Sequence, residues 1–118
     1  SLTGKQIRDV LEQQWSGANT GTVRILQPSK ELSYSYKKDS SVSPRASNIL
    51  VAGQALNDSK VYRVTVNSFL ADGGDNFTVL KEGKNPVGGG QDIDALEKYV
   101  AQYSPLTAPK TDRIKVIP

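Results

Sequence analysis

The sequence predicts an α+β domain in which a mixed or antiparallel sheet is flanked by helices. Three observations carry that expectation. Ile7, Val10, Leu11 and Trp15 recur at helical spacing near one end of the chain. Leu32-Ser33-Tyr34-Ser35-Tyr36 and Val61 to Val66 alternate or concentrate strand-forming residues in the middle. A second helical stripe, Ile93, Leu96, Tyr99, Val100 and Tyr103, then precedes an alternating Arg113-Ile114-Lys115-Val116-Ile117. Helix, strands, helix, strand without a regular βα repeat is the order of an α+β unit.

The first helix is expected from about Gly4 to Trp15. Thr3 stands where it can cap the first turn, and Gln6, three residues on, can reach back to it as a capping box. Leu2 and Ile7 lie at the spacing of a hydrophobic staple. Ser16 to Gly21 supplies turn formers that end the helix, and Thr22 to Leu26 is a short apolar run before Pro28. A strand is expected at 32–36, a polar loop containing Pro44 from Lys37 to Arg45, and a strand at 46–52 closed by Gly53. The run Val61-Tyr62-Arg63-Val64-Thr65-Val66 reads as a further strand. Phe77 to Leu80 is a short apolar run, and the Asn85 to Gln91 loop is rich in glycine. Asp92 is expected to cap the second helix, with Asp94 in its first turn favoured by the dipole and the apolar stripe buried, and Pro105 to stop it.

Composition limits the chemistry. The 118 residues suit one domain or part of a larger one. The chain has 15 basic and 12 acidic residues, scattered, with no basic face interleaved with aromatics, which argues against nucleic-acid binding. With no cysteine and no histidine, a disulfide framework, a Cys/His zinc site and a Ser-His or Cys-His nucleophile pair are all excluded within this chain. No apolar run is long enough to span a bilayer, and no signal peptide is visible at Ser1, so an export signal would lie upstream.

The stretch most suited to a site is Asn67-Ser68-Phe69-Leu70-Ala71-Asp72-Gly73-Gly74-Asp75-Asn76-Phe77, which leaves the Val61–Val66 run and enters a turn. Gly73 and Gly74 permit positive φ and close backbone approach, and Asp and Asn tolerate left-handed geometry while accepting hydrogen bonds. On residue type alone, a phenylalanine after a strand such as Phe69 is more often a core ring than a stacking platform, and Asp75 has the competing reading of a turn cap. Asp72 and Asp75 as an acid/base pair lack any neighbour that would separate their pKa values. Asp72, Asp75 and Asn76 do not follow the spacing of a calcium loop. Asn76-Phe77-Thr78 and Asn57-Asp58-Ser59 match the glycosylation sequon, but a glycan on Asn76 would obstruct a pocket formed here.

Taken together, Leu2-Thr3-Gly4 opening a helix, the Phe69-Leu70-Ala71-Asp72-Gly73-Gly74-Asp75-Asn76-Phe77 turn, the glycine loop, Gln91-Asp92-Ile93-Asp94-Ala95-Leu96, and Asp112-Arg113-Ile114 resemble the C-terminal domain of the 5'-nucleotidase and UDP-sugar hydrolase family over essentially the whole chain. The resemblance implies a division of labour. A metallophosphoesterase domain outside this chain holds two divalent metal ions and performs hydrolysis, while this domain binds the nucleoside part of the substrate. It further implies an exported parent enzyme, periplasmic, secreted or attached to the cell wall.

Carried over residue by residue, a base-stacking ring falls on Phe69 and a ribose-binding carboxylate on Asp75, with Gly73 and Gly74 holding the backbone close to the sugar and Phe77 in the core. A planar ring offers a nucleobase a stacking face, and a carboxylate forms charge-assisted bonds with two adjacent sugar hydroxyls. No catalytic residue and no metal ligand is expected in the chain. The family's other stacking phenylalanine, its arginines and an asparagine precede the position of Leu2, so the domain is expected to be incomplete on its N-terminal side and to offer a sheet edge for strand-mediated self-association. The parent's substrate stays open among nucleoside monophosphates, UDP-sugars and 2',3'-cyclic nucleotides, as does a simpler role as a non-catalytic scaffold with part of a pocket.

Overall fold

The computed structural model describes residues 1–118. Strand β1 (Leu2–Thr3) runs straight into helix α1 (Gly4–Glu12), which tightens into a 3-10 turn at Gln13–Trp15. The expected capping box is present: Thr3 Oγ1 accepts from the Gln6 backbone N–H at 3.2 Å, and Gln6 Oε1 accepts from the Thr3 N–H at 2.8 Å. These bonds satisfy donors that the helix start would otherwise leave open. Leu2 and Ile7 are both buried, as a staple requires.

The main sheet has four strands in the order β4 (Gln54–Ala55), β3 (Ala46–Val51), β2 (Leu32–Lys37), β6 (Ile114–Ile117). Strand β2 pairs antiparallel with β3 and parallel with β6, so the sheet is mixed as expected. Helix α1 lies on it. Leu11 and Trp15 pack with Tyr34, Ala46 and Ile49 in one apolar cluster, flanked by Ile25, Leu32, Tyr36, Leu56 and Ile114. The Trp15 ring sits 4.9 Å from the Tyr36 ring, with the Arg45 guanidinium 4.8 Å from its centroid. Glu12 fastens the helix to β3 by accepting from the Arg45 and Ala46 backbone N–H groups at 3.1 and 2.6 Å.

Beneath this cluster lies Gln14, 0% exposed. Its Oε1 accepts from the Leu26 N–H at 2.8 Å and the Tyr34 hydroxyl at 3.1 Å, while its Nε2 donates to the Leu11 carbonyl at 3.0 Å. A buried amide is stable only with its donors and acceptors matched, and Gln14 meets that condition from three separate segments.

Three expectations need correction. Of the run Val61–Val66, only β5 (Val61–Tyr62) pairs, antiparallel to β1, because β1 offers two residues to the ladder. Val64 and Val66 are exposed. Helix α3 (Asp92–Tyr103) forms where expected, but Gln91, not Asp92, occupies the N-cap position; Asp92 Oδ1 accepts from the adjacent Ile93 N–H. The stripe on α3 is not buried: Ile93, Leu96, Tyr99, Val100 and Tyr103 are 37% to 56% exposed. Its period marks an apolar face, but no element of these 118 residues lies against that face. No helix is long and apolar enough to cross a membrane.

The buried Tyr34 has a testable consequence. Burial pushes its phenol above the ordinary value, an effect that the hydrogen bond with Gln14 opposes. The raised folded-state pKa means that the contribution of Tyr34 is fully present below about pH 10 and is lost as pH rises beyond it. Thermal denaturation of wild type and Tyr34→Phe across the alkaline range should therefore show wild type losing stability more steeply above about pH 10. Parallel curves would show that Tyr34 does not ionise on unfolding.

Candidate functional site

The turn singled out in the sequence begins with a short helix, α2 (Ser68–Ala71), capped by Asn67, whose Oδ1 accepts from the Leu70 N–H at 2.8 Å. Gly73 reverses the chain with φ 82°, and a 3-10 turn at Gly74–Asn76 follows. Within it, Asp75 (φ 54°) and Asn76 (φ 66°) both adopt left-handed geometry. Two successive non-glycine residues of this kind are uncommon, although Asp and Asn bear it best. A second 3-10 turn, Thr78–Glu82, replaces what the Phe77–Leu80 run left undefined.

The two phenylalanines separate cleanly. Phe77 is 1% exposed and belongs to the interior, whereas Phe69 is 57% exposed. The ring of Phe69 rests against Gly74: a Cβ built there would come within 2.5 Å of its Cε1 and 2.6 Å of its Cζ. Glycine at 74 is thus a packing requirement that lets the ring lie down beside the residue preceding Asp75. Gly73 meets the left-handed requirement, with the flexible Lys81 side chain its near neighbour. The four sequence-predicted residues Phe69, Gly73, Gly74 and Asp75 therefore share one compact surface turn.

What fixes this turn comes from elsewhere in the chain. Asn19, 1% exposed, donates through Nδ2 to the Gln13 carbonyl at 3.0 Å and to the Asp75 carbonyl at 2.8 Å. Asn76 Nδ2 donates to the Ser16 carbonyl at 3.2 Å. Gln13 clamps the next turn, donating to Thr78 Oγ1 at 2.7 Å and accepting from the Val79 N–H at 3.2 Å. Arg24 Nη1 lies 3.2 Å from Asp75 Oδ1. None of Gln13, Asn19 and Arg24 was distinguishable in the sequence, where Ser16–Gly21 reads only as a helix-ending turn. An asparagine in such a segment looks the same whether it faces solvent or is buried.

The arrangement is suited to binding. An exposed aromatic face, a partly exposed carboxylate and a rigid backbone stand together, and no nucleophile is paired with a base. No cluster of three or more acidic, histidine or cysteine side chains is positioned to hold a metal ion.

The role of Gly74 can be checked directly. Gly74→Ala should displace the Phe69 ring and cost about 1–3 kcal/mol in chemical denaturation, with the aromatic resonances of Phe69 moving most. Gly88→Ala, where an added Cβ meets nothing, should leave both unchanged. Unmoved Phe69 resonances in Gly74→Ala would show that the ring does not rest there.

Comparison with known proteins places the chain in a family. Residues 1–82 match the family model described as 5'-nucleotidase, C-terminal domain. A 5'-nucleotidase-related protein of Glossina morsitans morsitans is 30% identical over 125 residues, covering 98% of this chain and 22% of that protein. An apyrase of Tabanus yao is 38% identical over 65 residues, covering 54% of this chain and 12% of that protein. Among solved structures, a 5'-nucleotidase precursor from Thermus thermophilus superposes with TM-score 0.83 at 33% identity, covering 98% of this chain and 24% of the other. The chain thus spans under a quarter of the length of these relatives. The matched model and the superposition agree, and the chain belongs to the 5'-nucleotidase C-terminal domain family.

Proposed function

We propose that this chain is the nucleotide-specificity part of an exported 5'-nucleotidase-type phosphohydrolase, with the base stacking on Phe69 and the ribose hydroxyls donating to Asp75. The observation that carries this reading is the exposed Phe69 ring held by Gly74 beside Asp75, whose backbone is anchored by the buried Asn19. A large aromatic ring left half in water on a rigid turn is a stacking platform of the kind nucleobases use. Gly73 and Gly74 keep the backbone low enough for the sugar to approach. Hydrolysis belongs to a metallophosphoesterase domain with two divalent metal ions. This chain alone is inactive, and its substrate is a nucleoside phosphate.

The relatives bear names as different as apyrase, 5'-nucleotidase and, in Bacillus subtilis, trifunctional nucleotide phosphoesterase. UDP-sugars and 2',3'-cyclic nucleotides are the alternative substrates of the parent. The exposed face of α3 favours a second, compatible feature: the 118 residues are one part of a larger domain whose remaining part covers Ile93, Leu96 and Tyr99. With one stacking ring in place, affinity of this part for nucleotides is millimolar or weaker, roughly 4 kcal/mol or less.

Titration of the chain with AMP, followed by NMR, should shift resonances centred on Phe69 and Asp75, and Phe69→Ala should abolish the shifts, removing about 1–3 kcal/mol of stacking. Shifts centred elsewhere would overturn the site. Phosphohydrolase activity of the chain that survives a chelator would overturn the division of labour.

The uncovered α3 face and the outer edge of β6 should make the chain self-associate at high concentration. In analytical ultracentrifugation, Leu96→Asp, at an exposed position, should shift the distribution toward monomer without lowering the melting temperature. A wild-type chain that stays monomeric would refute this.

A further inference from the structure

We propose that Arg24 is a positioning residue for Asp75, orienting its carboxylate toward the sugar; the inference rests on the reading of Asp75 as the ribose-binding group. Asp75 is held at two points by the single segment that links α1 to β2. Asn19 grips its carbonyl at 2.8 Å, and Arg24 meets its carboxylate with Nη1 3.2 Å from Oδ1. The far end of that segment is pinned where the Leu26 N–H donates to the buried Gln14 at 2.8 Å. Arg24 therefore projects from between two fixed points, Asn19 and Leu26.

Stability does not account for this ion pair. The side chains are 46% and 36% exposed, and a pair so hydrated contributes little to folding. Its geometry does something else. The terminal torsion of an aspartate is broad, so a carboxylate without a partner turns freely about it. A guanidinium beside Oδ1 limits that rotation and leaves Oδ2, which accepts no hydrogen bond within the chain, free to accept from a hydroxyl pair. It also offsets the negative charge of Asp75, which lowers the repulsion that a bare carboxylate would exert on an anionic nucleotide.

The test uses the full-length enzyme that carries this chain, with kcat/KM measured for AMP and for 2',3'-dideoxy-AMP in wild type, Asp75→Asn, Arg24→Gln and Arg24→Lys. Wild type should prefer the ribose substrate, and Asp75→Asn should lose that preference. Arg24→Gln should lower the preference about tenfold through KM for AMP, with the dideoxy substrate and the melting temperature unaffected, and Arg24→Lys should restore part of it. If Asp75→Asn loses the preference while Arg24→Gln keeps it in full, Arg24 has no positioning role although the ribose reading stands. If Asp75→Asn itself keeps the preference, the ribose reading fails and the inference falls with it. An equal loss on both substrates in Arg24→Gln would mark a structural effect and also overturn the proposal.

Discussion

Two buried amides, Gln14 and Asn19, hold together everything that makes this chain a site. Gln14 lies in the 3-10 turn that ends the first helix and Asn19 five residues after Gln14, and both are almost wholly out of water, at 0% and 1% exposure. Gln14 ties the helix to β2 and to the backbone before it; Asn19 ties the helix end to the Asp75 carbonyl. Each partner removed would leave a buried polar group unmatched, at a cost of about 1–3 kcal/mol. The apolar cluster around Trp15 and Tyr34 supplies most of the burial, yet it is indifferent to where the glycine turn lies. The amides supply that information, because a hydrogen bond has direction and an apolar contact has little.

Seen from the sheet outward, the molecule divides by solvation. On one side α1 covers β2 and β3 and excludes water from Leu11, Trp15, Tyr34 and Ile49. Elsewhere α3 presents an apolar stripe to solvent, and Phe69 presents a ring. The two exposures differ in kind. The stripe runs the length of a helix and is what a covering layer needs. Phe69 is a single ring backed by a glycine and next to a fixed carboxylate, which is what a flat polar-edged ligand needs.

Much of the architecture was legible because local chemistry and tertiary context agree there. The capping box at Thr3 and Gln6, the alternation through Tyr34, and the terminal alternation that becomes β6 each specify an element that the fold uses. Disagreement arises where an element depends on its partner. Val64 and Val66 have strand-forming side chains, but the ladder stops with the two residues of β1. The period of α3 states which face is apolar and not whether anything lies on it. In the glycine turn, Phe69, Gly73, Gly74 and Asp75 stand out in the sequence by their motif, whereas the residues that brace the turn, Asn19, Gln13 and Arg24, do not. Asn19 acts on a residue 56 positions further along, and pattern along the chain carries no such distances.

The left-handed pair Asp75-Asn76 shows how these distant groups become necessary to one another. Such conformations cost free energy and persist only where the surroundings over-determine them. Here a glycine at 75 would remove the strain but also the carboxylate, so the aspartate must be held by others. Asn19 and Arg24 hold Asp75, and the Ser16 carbonyl holds the side chain of Asn76. That last bond in turn requires Gly17, itself at φ 56°, since a Cβ there would approach Asn76 Nδ2 to 2.6 Å. A glycine in the turn after α1 is therefore part of what holds the left-handed backbone of a turn more than fifty residues later.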